Sequence, residues 1–194
     1  MTPRHPLRPG PPQRRRSRRL LPRAVPRVRR ALQRAHKAME QGHPAGAARI
    51  FHQLAEAASY QRMTLRAARL TLEAAHAEAL SGQGATAAEH AGQALSAFTQ
   101  AGHAARVAPA VERVIAALRN GGHEQDAAKI ESQLEAAMSA SGSRRERIAP
   151  SPDRATDLPA KCFYCGGPVI PNEIEWIDDS TAICAYCGSP VKPD

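Results

Sequence analysis

The sequence predicts a mostly α-helical protein: three helical hairpins in a row, followed at the C-terminus by a small metal-held β module. Three observations carry that prediction. Glycine, paired alanines and glutamine recur at a fixed spacing of forty through the middle of the chain. The residues between those columns keep the apolar spacing of amphipathic helices. All four cysteines of the 194-residue chain fall between 162 and 187, in two Cys-x-x-Cys pairs.

Composition sets the frame for the helices. Hydrophobic residues make up 42% of the chain but aromatics only 4%, which favours Ala-rich helices packed closely over a core of large side chains. The net charge of +9 is unevenly spread. Residues 1–40 hold thirteen Lys+Arg and one acid, Glu40, whereas the remainder holds fourteen Lys+Arg against seventeen Asp+Glu. The basic character therefore belongs to an arm. Residues 1–24, Arg and Pro with little to bury, are expected to be disordered. Such an arm can touch nucleic acid or an acidic partner; the alternative is a solvated tail. No apolar stretch approaches the ~18–20 residues of a membrane span, and the N-terminus lacks the apolar region of a secretory signal. Clustered cysteines fit a metal site in a reducing compartment, so the expected location is the cytoplasm.

The repeat occupies residues 25–141. Its columns are Gly42, Gly82 and Gly122; Ala47, Ala87 and Ala127; Ala48, Ala88 and Ala128; Gln53, Gln93 and Gln133. "GHPAGAARIFHQLAEA" and "GHEQDAAKIESQLEAA" match most closely. A period in this range denotes stacked supersecondary units. First helices are predicted at 26–40, 61–80 and 103–119, with partners at 44–58, 85–100 and 123–139. Between them lie "QGHP", "SGQG" and "NGGH", whose glycines supply the positive φ of a helix end. Pro44 suits a first helical turn, and Thr86 with Glu89 reads as a capping box. Leu65, Ala68, Leu72, Ala75 and Ala79 make one apolar face, with Arg62, Arg66, Arg69 and Glu73 elsewhere. Pro109 is expected to delay its helix or kink it.

Gly42, Ala47, Phe51 and Leu54 occupy the four spacings that mark the second helix of a tetratricopeptide repeat. Gly82, Ala87 and Ala94 fit three of them, as do Gly122, Ala127 and Leu134. The segment thus resembles that family, without its first-helix Trp, Leu-Gly and Tyr, and with a period of forty rather than ~34. A different α-solenoid or an irregular bundle stays open. The resemblance implies that first helices line a concave face. Arg29 and Arg69, and Arg66 and Arg106, each forty apart, would then form a basic track for an acidic peptide. The plainer reading is exposed charge on amphipathic helices. Residues 142–160, rich in Ser, Pro and charge, read as a flexible linker.

"CFYCGGPVIP" at 162–171 is echoed by "CAYCGSPVKP" at 184–193. Cys162 and Cys165 are separated from Cys184 and Cys187 by eighteen residues, within the spacing of a four-thiolate metal site. Two intervening residues let each pair turn back on one ion. Gly166 and Gly188 fit positions that need positive φ. The stretch "EIEWIDDSTAIC" reads as a hairpin turning at Asp178, Asp179 and Ser180, with Ile174, Trp176, Ile183, Val169 and Val191 covering one side. So few apolar side chains cannot hold some thirty residues folded, and metal binding can supply the difference. Residues 161–194 resemble a zinc ribbon, which implies one structural Zn²⁺ closed by four cysteines. A rubredoxin-like iron site shares the knuckles and the tetrahedral sulfur. A thioredoxin-type redox pair is not readable, because no βαβ unit accompanies either pair.

His43, His103 and His123 each follow a glycine at a turn and read as turn or N-cap residues. His36, His52, His76 and His90 lie on helices without a ligand at metal spacing. No phosphate loop, G-x-S-x-G or H-E-x-x-H motif occurs. The chain is therefore expected to be a non-enzymatic adaptor with a protein partner and no small-molecule substrate. A nucleic-acid-associated protein is the first alternative. Against it, residues 161–194 hold two Lys and five acids, the wrong sign for phosphate. An iron electron carrier is the second.

Overall fold

A computed structural model describes residues 26–141, 158–171, 174–178 and 181–192. The arm at 1–24, most of the linker and the turn residues Asp179 and Ser180 lie outside the described residues. Six helices follow one another: α1 (Pro26–Glu40), α2 (Pro44–Tyr60), α3 (Thr64–Leu80), α4 (Gly84–Gln100), α5 (Ala104–Asn120) and α6 (Glu124–Ser141). A small antiparallel sheet follows, β1 (Glu175–Asp178), β2 (Thr181–Ile183) and β3 (Pro190–Val191), in the order β1-β2-β3. The chain is thus mostly helical with a small β element at its end.

The structural period is twenty, half the period visible in the sequence. Every interhelical turn has the same build. At the first, Gly42 N–H donates to Met39 O and His43 N–H to Ala38 O, the paired bonds that close a helix through a residue of positive φ. The same two bonds recur at Arg62 and Met63, Gly82 and Gln83, Gly102 and His103, and Gly122 and His123. The second residue of each pair also opens the next helix: the carbonyls of His43, Met63, Gln83 and His123 accept from the N–H four residues on. His43 and His103 are N-caps by position and make no side-chain cap bond. Gln83, not Thr86, precedes α4, so the expected capping box does not form. Pro44 does sit in the first turn of α2. Pro109 lies in the second turn of α5, which starts at Ala104 regardless and forgoes one helical hydrogen bond.

Arg62 is the exception among these turns. It holds φ +58° where its four counterparts are glycines. A side chain in the left-handed region costs roughly 1–2 kcal/mol. Glycine would remove that cost and add some chain entropy to the unfolded state. Arg62→Gly is therefore expected to stabilise the chain by about 0.5–1 kcal/mol. A rise in the urea midpoint at unchanged slope checks this, and a fall would refute it.

Consecutive helices pack as hairpins, α3 also packs on α5, and α4 on α6. Odd and even helices thereby form two layers. Two apolar cores result, and α3 belongs to both. Ala68, Leu72, Ala75 and Ala79 join Leu95, Val111, Leu118 and Ile130 in one core. On its other side, Ala67, Leu70, Ala74 and Ala77 join Leu32 and Phe51 in a second. That second core also contains the four cysteines, Val169, Tyr186 and Val191. The C-terminal module is thus packed on the helical array.

Candidate metal centre and its helical platform

The two knuckles are copies of each other. In the first, Gly166 N–H donates to Cys162 O and Cys162 N–H to Gly167 O. In the second, Gly188 N–H donates to Cys184 O and Cys184 N–H to Ser189 O. Gly166 and Gly188 hold φ of +73° and +68°, the left-handed conformation that a tight turn after the second cysteine requires. β1 and β2 pair through Trp176 with Ala182, and β2 pairs with β3 through Ala182 with Val191. Ile174, Val169 and Val191 are buried around the knuckles, whereas Trp176 and Ile183 are half-buried.

The cysteines come together as the spacing predicts. Cys162, Cys165, Cys184 and Cys187 are all at most 2% exposed, and their sulfurs lie within 4.8 Å of one another. Cys162 Sγ is 3.8 Å from Cys187 Sγ, and Cys165 Sγ is 3.7 Å from Cys184 Sγ. A tetrahedron of sulfurs around an ion at ~2.3 Å has edges of about 3.8 Å. Disulfides would need ~2.05 Å. The donor set therefore fits a tetrahedral metal ion. Packed this closely, the four thiols shift one another's proton affinity. Hydrogen bonding to Cys165 draws the Cys162 thiol down to about 7, and hydrogen bonding to Cys162 lowers Cys187. Hydrogen bonding with Cys162 raises Cys165 and Cys184. A bound cation would hold all four as thiolates.

The module sits on the odd helices through polar as well as apolar contacts. Tyr186, between the second pair of cysteines, is 1% exposed. Its hydroxyl donates to Glu73 Oε1 at 2.9 Å and accepts from Arg69 Nη2 at 2.6 Å. Arg69 reaches Glu73 at 3.2 Å, one turn along α3, and Arg113 of α5 reaches the same oxygen at 3.1 Å. The Arg69 guanidinium also lies 4.8 Å above the Tyr186 ring. Burial opposes ionisation of Glu73, yet the two arginines and the Tyr186 hydroxyl hold its pKa below the usual value. His36 of α1 stands edge-on between Phe51 and Tyr186. Its burial lowers its pKa, so it is neutral at pH 7.

The four arginines expected to line a peptide track all lie at this junction. Arg69 is buried in the network just described. Arg29 donates to Ser189 Oγ at 3.2 Å and stacks 4.5 Å from the Tyr164 ring. Arg66 lies against Gly188, where an added Cβ would meet its guanidinium. Arg66, Arg69 and Arg106 border a cavity of about 180 Å³ together with Cys184. What lies over them is this chain's own module. Arg69 and Glu73, placed by helical periodicity on a polar face, are buried because the module covers that face. Gln33 Nε2 donates to the Tyr164 carbonyl, and Lys161 pairs with Glu40 at the rim.

Sequence reasoning missed Tyr186 and Glu73 as partners, and one further cluster. His52 of α2 and His90 of α4 both contact Glu78 of α3. Among the described residues, no helix is long and apolar enough to cross a membrane. The chain matches no protein-family model, no curated protein and no solved structure.

Proposed function

We propose that this chain is a non-enzymatic adaptor in which one zinc ion fastens a C-terminal knuckle module onto a tetratricopeptide-like helical array that engages a protein partner. The observation that carries the metal half is the cluster of four buried sulfurs. Four buried cysteines with sulfurs within 4.8 Å of one another would fill all four positions of a tetrahedral ion, which suits a structural role. Soft thiolate donors in a tetrahedron favour zinc or iron. Residues 162, 165, 184 and 187 would hold it, and the ion would supply folding energy to a module with few large apolar side chains.

The partner half rests on surfaces left open after the module has docked. A groove of about 610 Å³ runs between α4 and α6, past Gly92, Leu95 and Ala137. Phe163, at the tip of the first knuckle, is 91% exposed. Phe is among the aromatic residues enriched at protein interfaces relative to the rest of the surface.

Elemental analysis tests the first half. The expected result is one tightly held zinc per chain in a colourless protein, and a coloured, iron-loaded chain would overturn it. Capture of protein partners after nuclease treatment, weakened by Phe163→Ser, is expected for the second half. Nucleic-acid binding that survives deletion of residues 1–24 would overturn that reading.

A further inference from the structure

Three helices each contribute one metal-competent side chain to a second cluster, on the even-helix side of the array. His52 Nε2 donates to Glu78 Oε1 at 2.7 Å, and His90 Nδ1 donates to Glu78 Oε2 at 2.8 Å. The two imidazole centroids are 4.5 Å apart, and the ligand atoms lie within 4.8 Å of one another.

Glu78 is the unusual member. It is 5% exposed and sits two residues from the C-terminus of α3. Its own backbone carbonyl already closes the turn, accepting from Gln83 N–H and Ser81 N–H. A helix C-terminus carries partial negative charge, so a buried carboxylate there calls for a cation. The contrast with Glu73 is direct. Glu73 is as buried but has two arginines and a tyrosine hydroxyl. Glu78 has two imidazoles and no Lys or Arg partner among the described residues.

The cluster also opens to solvent. A cleft of about 410 Å³ between α2 and α4 is bordered by His52, Ser59, Thr71, His90 and Gln93. His52 and His90 are 31% and 25% exposed and stand over the buried carboxylate. An ion entering the cleft meets the two imidazoles first, with the buried carboxylate hydrogen-bonded behind them.

We propose that His52, Glu78 and His90 form a second metal site, which takes a zinc-class divalent transition ion and leaves its remaining coordination positions to water from the cleft. Two imidazoles and one carboxylate suit zinc and its first-row neighbours and disfavour Mg²⁺ and Ca²⁺, which take all-oxygen sets. Arms of ~2.0–2.2 Å require nitrogen–oxygen separations of about 3.3 Å. The hydrogen-bonded pairs reach that by small side-chain rotations. Each contacting ring nitrogen turns its lone pair to the ion as its proton moves to the other ring nitrogen. An ion held there ties α2, α3 and α4 together on the face opposite the thiolate site. Three protein ligands and open positions make the site exchangeable, unlike the closed thiolate centre.

The test uses the full chain, titrated with Zn²⁺ by calorimetry and with Co²⁺ by absorbance, against His52→Gln/His90→Gln and Glu78→Gln. The expected result is an ion beyond the thiolate-bound one. Its Co²⁺ absorbance lacks sulfur charge transfer, which separates it from the cysteine site whether or not that site fills. In the His52→Gln/His90→Gln chain its affinity falls by more than the ~10–100-fold that outer-shell changes cost, with circular dichroism and the sulfur bands unchanged. Glu78→Gln is expected to weaken it at least about tenfold. Uptake of thiolate-bound ion alone would overturn the proposal. So would an extra ion bound equally well by His52→Gln/His90→Gln, which would mark adventitious surface binding.

Discussion

Glu73→Ala is expected to cost the folded chain about 3–5 kcal/mol, the range for leaving a buried charge without its partner. The carboxylate is the common acceptor for Arg69, Arg113 and the Tyr186 hydroxyl. Its removal takes the opposite charge from beside Arg69, which is 3% exposed, and an acceptor from the buried Tyr186 hydroxyl. Among the described residues, the exposed ion pairs fall well below that size. Arg119 with Glu124 and Glu131 is exposed on both sides, and such pairs contribute about 0.2–1 kcal/mol. Lys161 with Glu40 is likewise exposed.

Partial changes should rank below the full deletion. Tyr186→Phe removes one hydroxyl while Glu73 keeps both arginines, so a loss of about 1 kcal/mol is expected. Glu73→Gln keeps an acceptor but not the charge, and falls between. Arg69→Met with Glu73→Leu removes both charges and should recover much of the loss, because a buried ion pair adds little over an apolar pair of similar volume. Urea unfolding of the four variants checks the order. A Glu73→Ala cost below about 1 kcal/mol would show that water reaches the network. The pH dependence has a definite sign. The folded pKa of Glu73 lies below the ordinary 4.5, so its contribution is fully present above that value. It is lost as pH falls through the lower folded value.

What was legible in the sequence was local. The knuckles could be read because each is a pair of cysteines three apart followed by glycine, and the second pair repeats the first. The hairpins could be read because Gly42, Gly82 and Gly122 mark every second turn. The twenty-residue period could not. Arg62 stands where Gly would reveal it, and Gly102 has no glycine forty residues earlier. For the same reason the break between α2 and α3 falls at 61–63 rather than at 59–60. The docking of the module was out of reach on different grounds. Amphipathic spacing puts Arg69 and Glu73 off the apolar stripe of α3, and nothing local says that a second element will cover that side. Tyr186 lies 117 residues from Arg69, and an aromatic inside a knuckle reads equally as core or as contact. The His52, Glu78 and His90 cluster fails for a third reason. Its members are 26 and 12 residues apart, one per helix, so no motif spacing exists to be found.

Cys184→Ser is expected to unfold the C-terminal module and, with it, to loosen one end of the helical array selectively. A serine oxygen is a poor replacement for a thiolate in a soft tetrahedral site, and in the proposed zinc-bound form the metal affinity would supply much of the module's folding free energy. Were the module merely tethered, the helices would not register the loss. The shared core says otherwise: Tyr186, Val169 and Val191 lie in one cluster with Leu32, Ala35, Phe51 and Leu70. Removing a buried aromatic from such a core alone costs about 3–5 kcal/mol. Each 1.4 kcal/mol is tenfold in an opening equilibrium, so amides of α1 and α2 should lose about two orders of magnitude or more of hydrogen-exchange protection. Residues of α5 and α6 should change far less, because Val111, Val114, Leu118 and Ile130 belong to the other core, which the module's apolar residues do not enter. α3, which belongs to both cores, should show a split along its two faces, with Arg69, Glu73 and Leu70 exposed and Leu72 and Ala75 still covered. Chelation of the wild-type chain should give the same pattern. Uniform loss across all six helices would mean that the two cores unfold as one cooperative unit. Unchanged protection in α1 and α2 would mean that the knuckles add nothing to the platform they cover.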